Sequence, residues 1–320
     1  MRILAIHPYK RLEDWNNRLR VQFEMMSKYC DLKVIGYRIE PIPGVDTSIK
    51  TDIKNQVKDF NPDIIYVIGY MLGDFVLSEW NNVVYDMGSF MTRNILIKEK
   101  GWNLNEMMAE EQRILIDALR YSKMVDYYEK EKRVFEKAPV ILGWETREND
   151  LLEKIFGTKV REKVKTYITG FNNDIKSITP WKEKKEGIIS VSAKWGNDEK
   201  NFVYLNNVKK EIPIKTIGKG GDIDSLTHSE LMREIDKYKT LFVPFKAGGN
   251  NTVMEAIKLG CNIVYLDWYP FDTYLNEELK VERKGEIPFL TRSLENYYLP
   301  KEIPNQNKNI NNIIELCQNL

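Results

Sequence analysis

The stretch PFKAGGNNTVMEAIKLGCNIV, from Pro244 to Val264, holds the residue types best suited to chemistry in this chain. An apolar run, TLFVPF, leads into it, and NTVMEAIKLG follows with apolar residues at helical spacing and a closing Gly260. Between them, Gly248, Gly249, Asn250, Asn251 and Thr252 form a turn that tolerates unusual backbone angles and leaves N–H groups uncovered. The first N–H groups of a helix lack partners and carry the positive end of its dipole, so such a turn can receive a phosphate. Glu255 lies about one turn inside the helix, too deep to cap it and of the wrong charge for a phosphate. A carboxylate there can accept ribose hydroxyls instead. The competing reading is a plain strand–turn–helix connection with an exposed glutamate, because a single glycine-rich turn is a weak motif.

Such a turn works only if elements present it. Short apolar runs alternate with helical patterns along the whole chain. RILAIH (2–7), LKVIGY (32–37), PDIIYVIG (62–69), NVVYDMG (82–88) and PVILGW (139–144) read as strands, and TRENDLLEKIFG as a helix closing on Gly157. LEDWNNRLRVQFEMMSKY and TSIKTDIKNQVKDF read as helices, and a long amphipathic helical stretch runs from about Leu104 to Lys137. The polar segment 170–187 interrupts the alternation and reads as a linker. Strands then resume at IISVSA (188–193), IPIKTIG (212–218), TLFVPF (240–245) and NIVYLD (262–267). Strands interleaved with helices imply parallel sheets covered on both faces. The expected fold class is therefore α/β, with two Rossmann-like domains facing each other across a cleft. Residues 1–175 and 176–300 form the domains, and 301–320 a terminal helix packing back towards the first.

Bulk properties narrow the function. A chain of 320 residues with 42% hydrophobic content can fill two cores. Lys+Arg 48 against Asp+Glu 47 leaves a net charge of +1, which argues against wholesale nucleic-acid binding. MRILAIHPYK lacks the cleavage site of a signal peptide, and no stretch approaches the about 18 apolar residues of a membrane span. Cys30, Cys261 and Cys317 show neither zinc nor disulfide spacing. A cytoplasmic protein is expected, with a peripheral place at a membrane as the second reading. His7 and His228 are too few for a histidine metal site, and no acidic pair of the DxD type stands in the predicted site, so no metal is required.

The stretch FVPFKAGGNNTVMEAIKLGCNIV resembles the donor-site motif of retaining glycosyltransferases of family four, which have the GT-B fold. Pro244, Gly248, Asn250, Glu255, Ala256, Gly260, Ile263 and Val264 fall on that pattern. The family has an earlier glutamate that contacts the transferred sugar; Ala247 stands there. ISVSAKWGNDEKNF resembles the family's basic pair: Lys194 takes the position of its arginine and Lys200 that of its lysine. In the family this pair neutralises the donor's diphosphate, where fixed cations stabilise the departing charge. Lys194 loses the arginine's bidentate fork but keeps its charge. KTYITGFNND resembles the entry to the family's linker, through Gly170 and Asp174, and IPIKTIGKGGD its glycine-bearing strand end, making Gly218 a pocket wall. Thr227-x-x-Glu230 is a capping-box signature in the lead-in to TLFVP.

The resemblance implies a hexosyltransferase using an NDP-sugar as co-substrate, UDP or GDP in the first place, with no other cofactor. Retention would follow if the leaving phosphate takes the acceptor's proton. The acceptor belongs to the first domain: a glycan, a lipid-linked sugar or a protein. There His7, at the end of the first strand, and Asp86, ending VVYD, are candidates to orient or deprotonate it. A structural histidine and a turn or cap aspartate are the competing readings. On the same scaffold a nucleotide-sugar epimerase, a DNA glycosyltransferase or a non-catalytic nucleotide- or sugar-binding module remain alternatives.

Overall fold

Residues whose apolar side chains alternate over two faces build the central strands. In β1 (Arg2–Ile6), Leu4 and Ile6 enter one core cluster while Ile3 and Ala5 enter another. In β4 (Ile64–Ile68), Ile65 and Val67 join the first cluster and Ile64, Tyr66 and Ile68 the second. A strand buried on both sides has no polar face to show, which is why these runs are continuous in sequence. The computed structural model describes residues 1–7, 17–36, 41–49, 52–88, 90–143, 146–167, 175, 179–194, 199–244, 250–266, 274–281, 285–303 and 305–320.

The chain forms two compact units, Met1–Gly170 with Gln306–Leu320, and Phe171–Asn305. Among the described residues the first unit carries a seven-stranded, all-parallel sheet in the order β3-β2-β1-β4-β5-β6-β7. Its other strands are β2 (Asp31–Gly36), β3 (Asp46–Ile49), β5 (Val83–Asp86), β6 (Val140–Gly143) and β7 (Val164–Thr166). Its helices are α1 (Asn17–Met26), α2 (Ile53–Phe60), α3 (Tyr70–Glu79), α4 (Met91–Lys100), α5 (Leu104–Ala109), α6 (Gln112–Arg120), α7 (Val125–Lys137), α8 (Thr146–Phe156) and α9 (Thr158–Glu162). The second unit is a five-stranded parallel sheet among its described residues. Its strands are β8 (Glu186–Lys194), β9 (Ile214–Lys219), β10 (Tyr238–Val243), β11 (Asn262–Leu266) and β12 (Lys280–Val281), in the order β12-β11-β10-β8-β9. Helices α10 (Glu199–Val208), α11 (His228–Ile235), α12 (Asn250–Lys258) and α13 (Glu286–Glu295) accompany it. The last helix, α14 (Gln306–Gln318), packs on α1, and its Ile310, Ile313, Ile314 and Cys317 complete a core cluster of the first sheet.

Two expectations are corrected here. The segment 47–60 is not all helix: Asp46–Ile49 pairs in parallel with β2, and helix begins only at Ile53, capped by Asp52. The amphipathic stretch 104–137 is three helices rather than one. α5 opens on a capping box at Asn103 and Glu106, and breaks at Glu110 and again at Tyr121–Met124 separate it from α6 and α7. Packing of α6 and α7 against α4 buries Leu115, Leu119, Val134 and Phe135, which a single straight helix could not place together.

Buried charge secures this layer. Arg93 of α4 is 7% exposed and pairs with Glu148 of α8, and burial pushes its guanidinium down to about 10. Among the described residues no helix is long and apolar enough to cross a membrane.

Candidate functional site

Ligands of open parallel sheets bind beyond the carboxyl ends of the strands, where the strand order reverses. In the second sheet the chain moves from β8 outward to β9, then returns to the other side of β8 with β10. The switch point therefore lies at the ends of β8 and β10. Lys194 closes β8, and Lys200 lies in the first turn of α10. Past β10 the chain continues into the turn predicted to bind phosphate. Gly248 and Gly249, with Ala247, lie outside the described residues; Asn250 opens α12, and Asn251 and Thr252 follow it, half-buried.

Glu255 sits in the second turn of α12 and is 2% exposed. It is thus not the exposed glutamate of a plain connection. Its neighbours Val253, Met254 and Ile257 are buried on the core, which fixes the helix face and carries the carboxylate inward. Glu255 Oε1 lies 2.8 Å from Nε2 of His228. His228 is the first residue of α11, whose start is set by the capping box: Thr227 Oγ1 accepts from the Glu230 N–H, and Glu230 Oε2 from the Thr227 N–H. Because a carboxylate only accepts, His228 Nε2 carries the proton of this bond. The Glu255 hydrogen bond holds the imidazole above its ordinary value, against the opposing effect of burial.

The stability carried by this pair has a definite sign. A histidine whose folded value exceeds its unfolded 6.5 contributes fully below that pH and loses the contribution as pH rises through the raised value. His228→Gln, neutral throughout, should therefore cost more at pH about 6 than at pH about 9, read as the gap in thermal midpoint from the wild type. A gap independent of pH would mean that the imidazole does not titrate against Glu255.

Gly218, one residue before the end of β9, has a φ of 124°, a backbone that side-chain-bearing residues rarely adopt. Its N–H donates to Ile223 O (2.9 Å), while Ile223 N–H returns to Thr216 O (3.0 Å). Asp222 Oδ2 locks this turn by accepting from Thr216 N–H (2.8 Å), Thr216 Oγ1 (2.7 Å) and Lys209 Nζ (2.7 Å). Burial alone would raise the Asp222 carboxyl; the bonds from Lys209 and Thr216 outweigh it and bring it down to about 2. The three bonds to Asp222 thus tie the turn after β9 back to that strand and to Lys209.

In the first sheet the order reverses between β1 and β4, and His7 lies there, directly after β1. It is fully buried, its backbone N–H donating to Ile35 O at 2.9 Å. Asp86, at the end of β5, is also fully buried. Its Oδ2 accepts from Tyr66 Oη (2.6 Å) and Tyr167 Oη (2.5 Å), and its Oδ1 from the Gly88 N–H (2.9 Å). Gln22 Nε2 donates in turn to Tyr66 Oη (2.8 Å). Burial, with the Asp86 carboxylate next in size, pushes the Tyr66 phenol well above its usual value, so it stays a donor. These bonds tie β4, β5, α1 and the residue after β7 into one network.

Sequence reasoning placed Glu255 and the capping box on adjoining helices without connecting them, and left His228 unassigned. The available signal was the capping box itself, which puts the residue after Thr227 at the first turn of a helix. A hollow of about 330 Å³ lined by Glu99, Trp102, Arg113, Asp117 and Tyr121 opens beside the far end of α4. It lies away from the strands' carboxyl ends, where ligands of such sheets bind.

No protein-family model matches the sequence, and no curated protein matches it. Solved structures do match in fold. Sucrose-phosphate synthase of Thermosynechococcus elongatus is 12% identical with a TM-score of 0.65, covering 99% of this chain and 96% of that one. HepE of Anabaena in complex with UDP is 11% identical with a TM-score of 0.60, over the full length of both. WaaG, a glycosyltransferase involved in lipopolysaccharide biosynthesis, is 11% identical with a TM-score of 0.58, covering 98% of this chain and 95% of that one. The chain has the two-domain, parallel-sheet GT-B fold that these solved structures share.

Proposed function

We propose that the protein is a glycosyltransferase that moves a sugar from a nucleotide-sugar donor, a UDP-sugar in the first place, to an acceptor with retention. The observation that carries this reading is the buried carboxylate of Glu255, on the helix that follows β10 at the switch point, with His228 of α11 hydrogen-bonded to it. A carboxylate on the second turn accepts the ribose hydroxyls, while the helix start and its glycine-rich turn accept the diphosphate. Lys194, at the end of the adjoining strand, and Lys200, in the helix after it, supply positive charge where the nucleoside diphosphate departs. The leaving phosphate oxygen takes the acceptor's proton as the new glycosidic bond forms on the same face. Structural neighbours whose names include UDP or UDP-glucose complexes support a uridine donor. The acceptor, a glycan, a lipid-linked sugar or a protein, belongs to the first unit.

One observation favours a second reading. Ala247 stands where the resembling family has its sugar-contacting glutamate, as expected of a nucleotide-sugar binder without turnover. Hydrolysis of the donor in the absence of acceptor separates the two, since only the enzyme releases free sugar.

Calorimetric titration with UDP, GDP, ADP and their hexose conjugates tests the donor site. One base is expected to bind in the micromolar range, weakened at least about tenfold, or about 1.4 kcal/mol, by Glu255→Ala. Absence of binding to every one of them by folded protein would remove the donor-site reading and leave only the fold.

A further inference from the structure

We propose that His228 is a positioning residue for ribose recognition, fixing the Glu255 carboxylate in the plane that two neighbouring hydroxyls must meet. The inference rests on the donor-site reading above and adds a residue to it.

A glutamate side chain has three rotatable torsions, and ordering it costs up to about 2 kcal/mol. A carboxylate held in place before the ligand arrives spares binding that cost. Glu255 is held from outside its own helix: the bond from His228 Nε2 crosses from α11 to α12, which pack on each other. These two helices follow β9 and β10, the strands on either side of β8, so the bond spans the switch point.

A positioning group must itself be fixed, and α11 is anchored at both ends. The Thr227–Glu230 capping box sets its start. At its other end Asp236 accepts from Thr179 Oγ1 (2.7 Å) and Lys184 Nζ (3.0 Å), and Lys184 Nζ also donates to the Asp236 carbonyl (2.6 Å). Lys184 is itself buried, at 3% exposure. His228 is therefore presented by a helix that cannot readily slide, and its ring reaches a carboxylate that is 2% exposed. A plain surface histidine would need neither arrangement.

The test compares two amide replacements of like polarity. The amide nitrogen of His228→Gln reaches the place of Nε2, whereas that of His228→Asn is one bond shorter and reaches only the place of Nδ1. UDP, GDP and ADP, each beside its 2′,3′-dideoxy form, are titrated into wild type, both variants and Glu255→Ala, with thermal midpoints recorded for each. Wild type and His228→Gln should prefer the ribose form by about tenfold or more, and His228→Asn by less than about threefold while still binding the diphosphate. Equal discrimination in all three proteins overturns the proposal. So does equal loss in both variants, which would trace to the fold rather than to a placed N–H. If wild type binds no ribonucleotide in a Glu255-dependent manner, the donor-site reading itself falls, and the inference with it. That result is distinct, since in the other two Glu255→Ala still weakens binding.

Discussion

Asp86→Ala is expected to destabilise the first unit by about 4 kcal/mol, measured as a fall in the urea midpoint with an unchanged slope. The substitution removes the acceptor shared by Tyr66, Tyr167 and the Gly88 N–H, all of which bond it at 2.9 Å or less. Tyr66 is fully buried and Tyr167 is 4% exposed, so neither phenol can turn to water without opening the core. Each buried donor left unmade costs about 1–3 kcal/mol, and one of the three can find a new partner in the space vacated. Asp86→Asn should cost less, about 2 kcal/mol. The phenols can rotate to accept from an amide, although Tyr66 already accepts from Gln22. The pair separates two roles. If Asp86 only holds β4, β5 and α1 together, activity will follow the folded fraction. A variant that keeps its stability within about 1 kcal/mol yet loses turnover would return Asp86 to the acceptor as its base.

Much of this architecture is legible in the sequence, and what is not has physical causes. β1, β4, β10 and β11 are buried on both faces and therefore read as continuous apolar runs. β3, with sequence DTSI, lies at the sheet edge with both termini exposed, and β7, VKT, is mostly exposed as well. Edge strands need no apolar run, so nothing within these short segments marks them as strands. Capping chemistry is local, and Thr227 with Glu230 is visible directly. The bond from His228 to Glu255 spans 27 residues and two helices, and no periodicity encodes it. Buried charge is the least legible feature: Arg93, Glu131 and Glu148 stand in helical segments rich in Lys and Glu, indistinguishable there from solvated neighbours.

Glu131 carries the other large effect. α4 begins at Met91, and its cap residue Phe90 offers no side-chain acceptor. Glu131, forty residues on in α7, supplies it: Oε1 accepts from Met91 N–H (2.9 Å), and Oε2 from Thr92 N–H (2.6 Å) and Thr92 Oγ1 (2.5 Å). A carboxylate at a helix start is favoured by the dipole, yet this one is fully buried. Burial pushes its carboxyl up to about 7, despite the bonds from Thr92 and Met91 and the charge of Arg93. Glu131→Ala should cost about 3 kcal/mol at pH about 5, because three donors at the start of α4 lose their acceptor and a cavity opens between α4 and α7. The pH dependence follows from the raised value. A carboxyl at 4.5 when unfolded and about 7 when folded gives its stabilisation in full below the first value and loses it as pH rises through the second. That gap is worth at most about 3 kcal/mol. Glu131→Gln keeps the shape and removes the titration. Its stability relative to wild type should therefore rise by up to about 3 kcal/mol between pH about 5 and 8, whatever fixed cost its amide brings against the Met91 N–H. Parallel profiles for the two proteins would show an ordinary carboxyl at the start of α4, and the cap would then act by its charge throughout that range.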